Sequence, residues 1–307
     1  MEKIHINEVA LRDGFQIEPR FIPTETKVAL VNALSHAGLS KIEVTSFTSP
    51  KAIPALADAE AVMCQIERDP GVVYTALVPN ARGAERAVSC GVDELNLVMS
   101  CSEGHSLANL RMKPADSLGK FRDIAQSFGK QVSLNVSLST AFGCPFDGEI
   151  SHQQVARYIE QLAAMGIRNI TLCDTTGMAN PKQVQDLCSA LLTTWPDLSF
   201  TAHFHNTRGM GLANGLAAYQ AGIRQFDASL AGLGGCPFAP GASGNVCTED
   251  LVHMFHAMGL NTGVDLNALI AVANEIPEIV GHSVSGQVMK AGVWDRRYPL
   301  PVKEAQQ

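Results

Sequence analysis

The sequence predicts a (β/α)8 barrel with an additional helical segment at its C-terminal end. Eight β-like runs alternate with eight helical stretches along the chain, and repeated β/α units imply parallel strands with right-handed crossovers. Eight such units over roughly 250 residues match a closed barrel in size. An open doubly wound sheet would instead require a glycine-rich phosphate fingerprint after its first strand, and none is present there.

The predicted strands are short runs of β-type residues separated by turn signals. In chain order they are Lys3–Val9, Lys41–Ser46, Val72–Val78, Glu94–Met99, Gln131–Ser137, Asn169–Asp174, Ser199–His205 and Gln225–Ala231. The carboxyl ends of all eight would meet at one end of the barrel, where active sites of this fold lie.

The predicted helices are the amphipathic segments between these runs. Examples are Thr24–Ala37, Ser151–Met165 and Pro181–Thr194, and several segments end at an Ala-Gly or Met-Gly pair. Glycine directly after a helix suits the left-handed cap. A helical tail from Asp265 to about Ala291 follows the eighth unit. We therefore expect residues 1–307 to form one catalytic domain with a helical tail from about residue 265.

Composition indicates a folded globular protein and excludes several partners. The chain of 307 residues is 46% hydrophobic and 17% charged, with a net charge of −7. This charge argues against nucleic acid or an anionic membrane as the main partner. No apolar run approaches the ~20 residues that cross a bilayer. Eight cysteines without CxxC spacing indicate reduced thiols, and the N-terminus lacks a signal pattern, so we expect a cytoplasmic protein.

A His-x-His pair closes the seventh predicted strand, in the string HFHNTRG at 203–209. Side chains two apart on a strand share a face, so the imidazoles of His203 and His205 converge on one point. Such a pair is a metal half-site that oxygen ligands from other strands can complete. The alternative is a pair of histidines that are hydrogen-bonded in a core or exposed on a surface. The position at the carboxyl end of a barrel strand favours the metal.

Other polar groups collect at the same end of the predicted barrel. Arg12 and Asp13 follow the first strand, Glu43 lies on the second, and Asp174 with Thr175 closes the sixth. The eighth strand runs into a glycine-rich segment that contains Cys236 and Asn245. Convergence from five strands, the first, second, sixth, seventh and eighth, indicates an active site rather than scattered surface charge.

The motifs at these positions resemble those of the 3-hydroxy-3-methylglutaryl-CoA lyase family, metal-dependent carbon–carbon lyases with this fold. The shared signatures are RDG at 12–14, HFH at 203–205, SLAGLGGCPF at 229–238 and GASGN at 241–245. The resemblance extends from about Glu8 to Leu251. The cysteine motif is specific to the lyases, whereas Arg-Asp and His-x-His are shared with related Claisen-condensing enzymes.

The resemblance implies a role for each matching residue. Asp13, His203, His205 and Asn245 match the metal ligands, Arg12 matches the residue that stabilises the enolate, and Cys236 matches the catalytic cysteine. The residue types agree, because a mixed oxygen and nitrogen set suits Mg²⁺ or Mn²⁺ better than zinc. Asp13 and His203 are alternative bases for the substrate hydroxyl. We also expect substrate-binding or supporting roles for Gln16, Glu43, Asp174, Thr175 and Arg208.

The implied activity is retro-Claisen cleavage of 3-hydroxy-3-methylglutaryl-CoA to acetyl-CoA and acetoacetate, as in leucine degradation and ketone-body metabolism. The implied partner is an acyl-CoA substrate, and the implied assembly is a homodimer. Three alternatives stay open: a condensing acyl-CoA synthase, a lyase for another thioester such as citramalyl-CoA, and a non-catalytic binding protein. The length and Cys236 favour a lyase over a synthase.

The sequence departs from the family pattern near the predicted mouth of the site. Typical members carry Asp and Tyr where this chain has Asn206 and Arg208, and Asn where it has Ile17. None of these changes removes a predicted ligand. They do leave open which acyl group the substrate carries, because Arg208 adds a cation that can bind a carboxylate or a phosphate. The alternative for Arg208 is a solvated loop residue.

Overall fold

The computed structural model of the chain describes residues 3–235 and 244–299. Within these residues, eight parallel strands close into a barrel in the order β1 to β8, with β8 paired to β1. The strands are β1 His5–Glu8, β2 Lys41–Ser46, β3 Val73–Leu77, β4 Glu94–Ser100, β5 Ser133–Ser139, β6 Asn169–Asp174, β7 Ser199–Phe204 and β8 Gln225–Ala228. The predicted (β/α)8 barrel is confirmed.

Helices surround the barrel and follow each strand. Those of the described residues are α1 Thr24–His36, α2 Ala59–Gln65, α3 Ala81–Ser89, α4 Glu103–Leu110, α5 Pro114–Phe128, α6 His152–Ala164, α7 Pro181–Thr194, α8 Gly211–Ala221, α9 Thr248–Ala257, α10 Leu266–Ala273, α11 Ile276–Val280 and α12 Val288–Ala291. Gly222 directly follows α8 and Gly38 follows α1 after Ala37, and they adopt positive φ values of 113° and 88°, as the Ala-Gly pairs predict. No helix among the described residues is long and apolar enough to cross a membrane.

Side chains alternate along the strands between an apolar outer face and a polar barrel interior. On β4 and β6, Leu95, Leu97, Ile170 and Leu172 are fully buried in the main core, which lies between sheet and helices. The intervening positions line a cavity of about 20 Å³ inside the barrel: Asn7, Glu43, Thr75, Asn96, Asn135, Thr171 and Asp227 are among them. Barrel interiors are commonly filled by Val, Ile and Leu, so this polar interior is a distinguishing feature of the chain.

Four strands, β1, β3, β7 and β8, are shorter than predicted. In β1 and β8 a helical turn replaces the carboxyl end of the predicted strand, at the end of the barrel where the site forms. β1 stops at Glu8 because residues Ala10–Gly14 form a π-helical turn. β8 stops at Ala228 because Leu230–Gly232 form a 3-10 turn, in which Ala231 has a φ of +57°. Both turns lie at the barrel mouth, and the strand propensities of their residues do not predict them.

Candidate metal centre and active site

The first site residues lie on the π-helical turn that follows β1. The amides of Arg12 and Asp13 both donate to the carbonyl of Val9, at 3.2 and 2.7 Å. Single π-helical turns occur frequently at functional sites. Here the turn buries the Arg12 side chain and leaves Asp13 half-buried at the barrel mouth.

Arg12 is held between two carboxylates. Its Nε donates to Glu43 Oε2 at 2.5 Å, and its Nη1 donates to Asp13 Oδ1 in a short ion pair. Burial works against the charge, but the Glu43 and Asp13 carboxylates raise the pKa of Arg12 overall. The other oxygen of Glu43 accepts a bond of 2.7 Å from Asn96 Nδ2. Glu43 therefore orients the guanidinium, and Asn96 in turn orients Glu43.

The predicted metal ligands from the first and seventh strands come together. Asp13, His203 and His205 each offer one ligand atom, and these atoms lie within 4.8 Å of one another. The two imidazole rings have their centroids 5.3 Å apart. This spacing is compatible with one shared ion, because ligand bonds are about 2.0–2.6 Å long.

Asn245 joins the cluster from the segment that precedes α9. Its backbone pairs with that of His205 in an isolated bridge. Its Nδ2 donates to Asp13 Oδ2 at 2.7 Å and to the Leu233 carbonyl at 3.1 Å. All four predicted ligands therefore lie side by side at the barrel mouth.

Unpartnered atoms in this cluster fit a cation. His205 Nδ1 and Asn245 Oδ1 are buried and accept no hydrogen bond from the described residues. Buried polar groups without partners are rare, and both atoms are lone-pair donors. Burial and the neighbouring His203 lower the pKa of His205 to about 4. Burial opposes ionisation of Asp13, but Arg12 and the two histidines bring its pKa down to about 2. A neutral imidazole and an ionised carboxylate are the ligand forms that a metal needs.

His203 has a partner that its neighbour lacks. Its Nδ1 lies 3.2 Å from Asp227 Oδ2 on β8. Burial lowers the pKa of His203, but the hydrogen bond and charge of Asp227 outweigh this and raise it overall. Asp227 belongs to none of the motifs that predicted the site. Its alternation with Phe226 and Ala228 along β8 was the available signal, since it places a carboxylate on the interior face.

The β6 end supplies a further carboxylate. Asp174 Oδ1 accepts bonds from the amides of Met178 and Ala179 at 2.7 and 3.1 Å, while its buried Oδ2 has no partner among the described residues. Burial raises the pKa of Asp174 to about 6. Thr175 Oγ1 accepts a bond from the Thr140 amide at 3.0 Å, so this residue joins two loops at the mouth.

The remaining predicted residues differ in how the structure places them. Gln16 is half-buried in the 3-10 turn Phe15–Ile17. Arg208 is exposed, and its Nη1 donates to the carbonyls of Thr176 and Gly177, both at 2.9 Å. Arg208 thus ties the loop after β7 to the loop after β6. The predicted catalytic residue Cys236 lies outside the described residues.

Comparison with known proteins points to one group of enzymes. The family model described as HMGL-like matches residues 3–276. A hydroxymethylglutaryl-CoA lyase of Bacillus subtilis is 46% identical over 91% of this chain and 94% of its own length. An (R)-citramalyl-CoA lyase of Chloroflexus aurantiacus is 42% identical over 95% of this chain and 96% of its own.

A solved structure agrees with these sequence matches. An HMG-CoA lyase of Acinetobacter baumannii, in complex with coenzyme A and 3-methylmalate, superposes with a TM-score of 0.93. It is 49% identical, and the match covers 97% of this chain and 98% of that one. The resemblance drawn from the motifs is confirmed.

Proposed function

Because the chain belongs to the HMGL-like family, and is therefore a carbon–carbon lyase, we propose that it cleaves 3-hydroxy-3-methylglutaryl-CoA or a close 3-hydroxyacyl-CoA analogue. The observation that carries the proposal is the cluster of Arg12, Asp13, His203, His205 and Asn245 at one end of the barrel. The A. baumannii relative holds coenzyme A and a small hydroxy acid, which supports an acyl-CoA substrate for this chain.

The proposed cofactor is Mg²⁺ or Mn²⁺. Asp13, His203, His205 and Asn245 would supply two nitrogen and two oxygen ligands, a mixed set that suits octahedral cations. Such a cation, when bound, would lower the pKa of the substrate hydroxyl and orient the carbon–carbon bond.

The reaction removes the proton from the tertiary hydroxyl and breaks the bond between C2 and C3. The products are acetoacetate and the enolate of acetyl-CoA, which then takes up a proton at carbon. Asp13 is the candidate for accepting the hydroxyl proton when His203 holds the cation, because a ring that binds the cation through Nε2 and faces Asp227 through Nδ1 has no free lone pair. His203 is the alternative base if its ring is not a ligand. We assign the final proton donation to Cys236, because the resemblance of residues 229–238 to the lyase motif implies that role.

Arg12 stabilises the enolate in this scheme. Its Nε and Nη1 are engaged by Glu43 and Asp13, so the guanidinium cannot rotate freely. Its Nη2 has no hydrogen-bond partner among the described residues and is the donor left for the thioester oxygen. A preorganised donor at a developing oxyanion contributes roughly 10²–10³-fold to kcat.

A second candidate substrate is citramalyl-CoA, and a specific observation favours it. A relative 42% identical over nearly the whole chain is an (R)-citramalyl-CoA lyase, and Arg208 with Asn206 and Ile17 departs from the usual pattern near the site. The same bond cleavage would then give acetyl-CoA and pyruvate.

We also propose that the chain assembles as a homodimer, which light scattering on the purified protein tests.

The test is to incubate the purified protein with each thioester and Mg²⁺ or Mn²⁺, and to identify the keto acid. Acetoacetate or pyruvate, with acetyl-CoA, supports the respective lyase. Arg12→Gln should lose most of the turnover, whereas the exposed Arg122→Gln should keep it. Absence of cleavage with both thioesters and both metals, or net condensation of acetyl-CoA with a keto acid, contradicts the proposal.

A further inference from the structure

Asp227 occupies the interior face of β8 between two other polar side chains. The strand register places it beside His203 of β7 on one side and beside Asn7 of β1 on the other. Asp227 Oδ2 lies 3.2 Å from His203 Nδ1, and Asn7 Nδ2 donates to Asp227 Oδ1 at 2.9 Å. Each carboxylate oxygen therefore has its own partner, and the three side chains form a row across three neighbouring strands.

This row is sheltered from solvent. The side chain of Asp227 is 13% exposed and that of His203 is 9% exposed. Asn7 and Asp227 also line the small polar cavity inside the barrel. A hydrogen bond in such surroundings is stronger than one in water, so the row restricts rotation of the His203 ring.

We propose that Asp227 is a positioning residue that fixes the ring orientation and tautomer of His203. With Nδ1 directed at Asp227, Nε2 is the nitrogen that His203 presents to the ligand cluster. A carboxylate behind a metal-binding imidazole fixes the tautomer and raises the basicity of the ligand. His205 has no such partner, since its Nδ1 is buried without a hydrogen bond to the described residues.

This inference rests on the proposed metal site but not on the identity of the thioester. Its readout is therefore the dissociation constant for Mn²⁺ without substrate, measured from the electron paramagnetic resonance signal of free Mn²⁺. Asp227→Asn keeps the size of the side chain and removes the charge. We expect its affinity for Mn²⁺ to fall about 10- to 100-fold, the usual effect of losing such a partner.

Glu94→Gln is the matched control. Glu94 is another buried carboxylate of the barrel, bonded to Lys41 at 2.6 Å and Asn169 at 3.0 Å, and it contacts none of the proposed ligands. Removing its charge should leave the Mn²⁺ affinity unchanged. Asn7→Ala, which keeps Asp227 but removes its second anchor, should weaken Mn²⁺ binding less than Asp227→Asn does.

Wild-type Mn²⁺ affinity in Asp227→Asn overturns the inference, and so does an equal loss in Glu94→Gln. If circular dichroism shows that Asp227→Asn does not fold, Asn7→Ala decides, and an unchanged affinity there overturns the inference. A wild-type protein that binds no Mn²⁺ overturns both the metal site and the role of Asp227. Failure to cleave either thioester contradicts only the proposed function, because the Mn²⁺ comparison uses no substrate.

Discussion

At the scale of single residues, the site depends on charges held by specific partners. Arg12 keeps its position because Glu43 and Asp13 accept from two of its nitrogens, and Glu43 is itself bonded to Asn96. Asn96 Oδ1 accepts from Asn135 Nδ2 and Ser137 Oγ at 3.0 and 2.9 Å. The amide of Asn96 can therefore take only one orientation, with its NH₂ group towards Glu43.

Substitution of Cys236 tests the proton donor. If its thiol protonates the enolate carbon, Cys236→Ala should lower kcat by roughly 10²–10⁴-fold, the usual contribution of a general acid. The Mn²⁺ dissociation constant and the thermal midpoint should stay near those of the wild type, because the cysteine is not a proposed ligand. The buried Cys188→Ala serves as a control for loss of a thiol. Near-normal turnover in Cys236→Ala would assign this cysteine to a structural role.

At the scale of elements, Glu8 joins the end of β1 to the segments that follow β8. Its Oε1 accepts from the amides of Ala10 and Leu230, and its Oε2 accepts from Thr248 Oγ1, each at 2.8 Å. The side chain is fully buried. Burial raises the pKa of Glu8 to about 7, although the three hydrogen bonds act in the opposite direction.

This raised pKa makes stability depend on pH. The protonated Glu8 carboxyl contributes its full stabilising free energy below the ordinary carboxyl pKa of about 4.5. This stabilisation is lost as pH rises through about 7, because Glu8 ionises at a lower pH in the unfolded chain than in the folded one. In Glu8→Gln the amide oxygen can keep both backbone bonds while Nε2 donates to Thr248. We expect its free energy of unfolding, relative to wild type, to rise by roughly 2–3 kcal/mol between pH 5 and pH 8.

Urea unfolding of both proteins at the two pH values measures this difference. The exposed Glu278→Gln should show no comparable change with pH. A constant difference between Glu8→Gln and wild type would mean that the carboxyl does not titrate in this range.

Arg208 acts between two loops, since its Nη1 bonds two carbonyls of the β6–α7 loop. Its Nη2 and Nε have no partner among the described residues and remain available to an anionic group of the substrate. We expect Arg208→Tyr to weaken the preferred thioester and to improve 3-hydroxy-3-methylglutaryl-CoA relative to it. The change in the ratio of kcat/KM values should be roughly tenfold to hundredfold, as for a charged hydrogen bond.

Arg208→Lys separates charge from geometry, because lysine keeps the cation but not the planar fork. The kcat/KM ratio of the two thioesters is measured for all three proteins. An unchanged ratio in Arg208→Tyr would leave Arg208 with the loop-tying role alone.

At the scale of the whole molecule, the ligand cluster links distant parts of the chain. Asp13 follows the first strand, whereas His203, His205 and Asn245 come from the last two β/α units. A cation that binds only the folded chain stabilises it by about 2.7 kcal/mol when present at 100 times its dissociation constant. Mn²⁺ should therefore raise the thermal midpoint, and EDTA should reverse the effect.

Asp13→Ala is the control for this prediction, because it removes one ligand and should show little or no response to the same Mn²⁺ concentration. An equal rise in the midpoint of Asp13→Ala would indicate binding elsewhere on the surface. Differential scanning calorimetry measures both midpoints.

The sequence by itself determined the barrel and the residues that meet at its mouth. Regular alternation of strand and helix implies parallel strands, and the carboxyl ends of parallel strands lie at one edge. His203 and His205 share a face through the two-residue period of a strand. Asp13 joins them because β1 pairs with β8, beside β7, when the barrel closes. Asn245 was predicted as a ligand from the GASGN motif, because no periodicity of the sequence indicates it.

Only the tertiary structure decided which side chains hydrogen-bond to the site residues and orient them. The contacts between Glu43 and Asn96 and between Asp227 and His203 join residues 53 and 24 positions apart. Such pairs depend on strand register around the closed barrel, and a shift of one residue turns every side chain to the other face. Local patterns do not encode that register. The π-helical turn after Glu8, which buries Ala10, Leu11 and Arg12, was likewise not predicted from the sequence pattern.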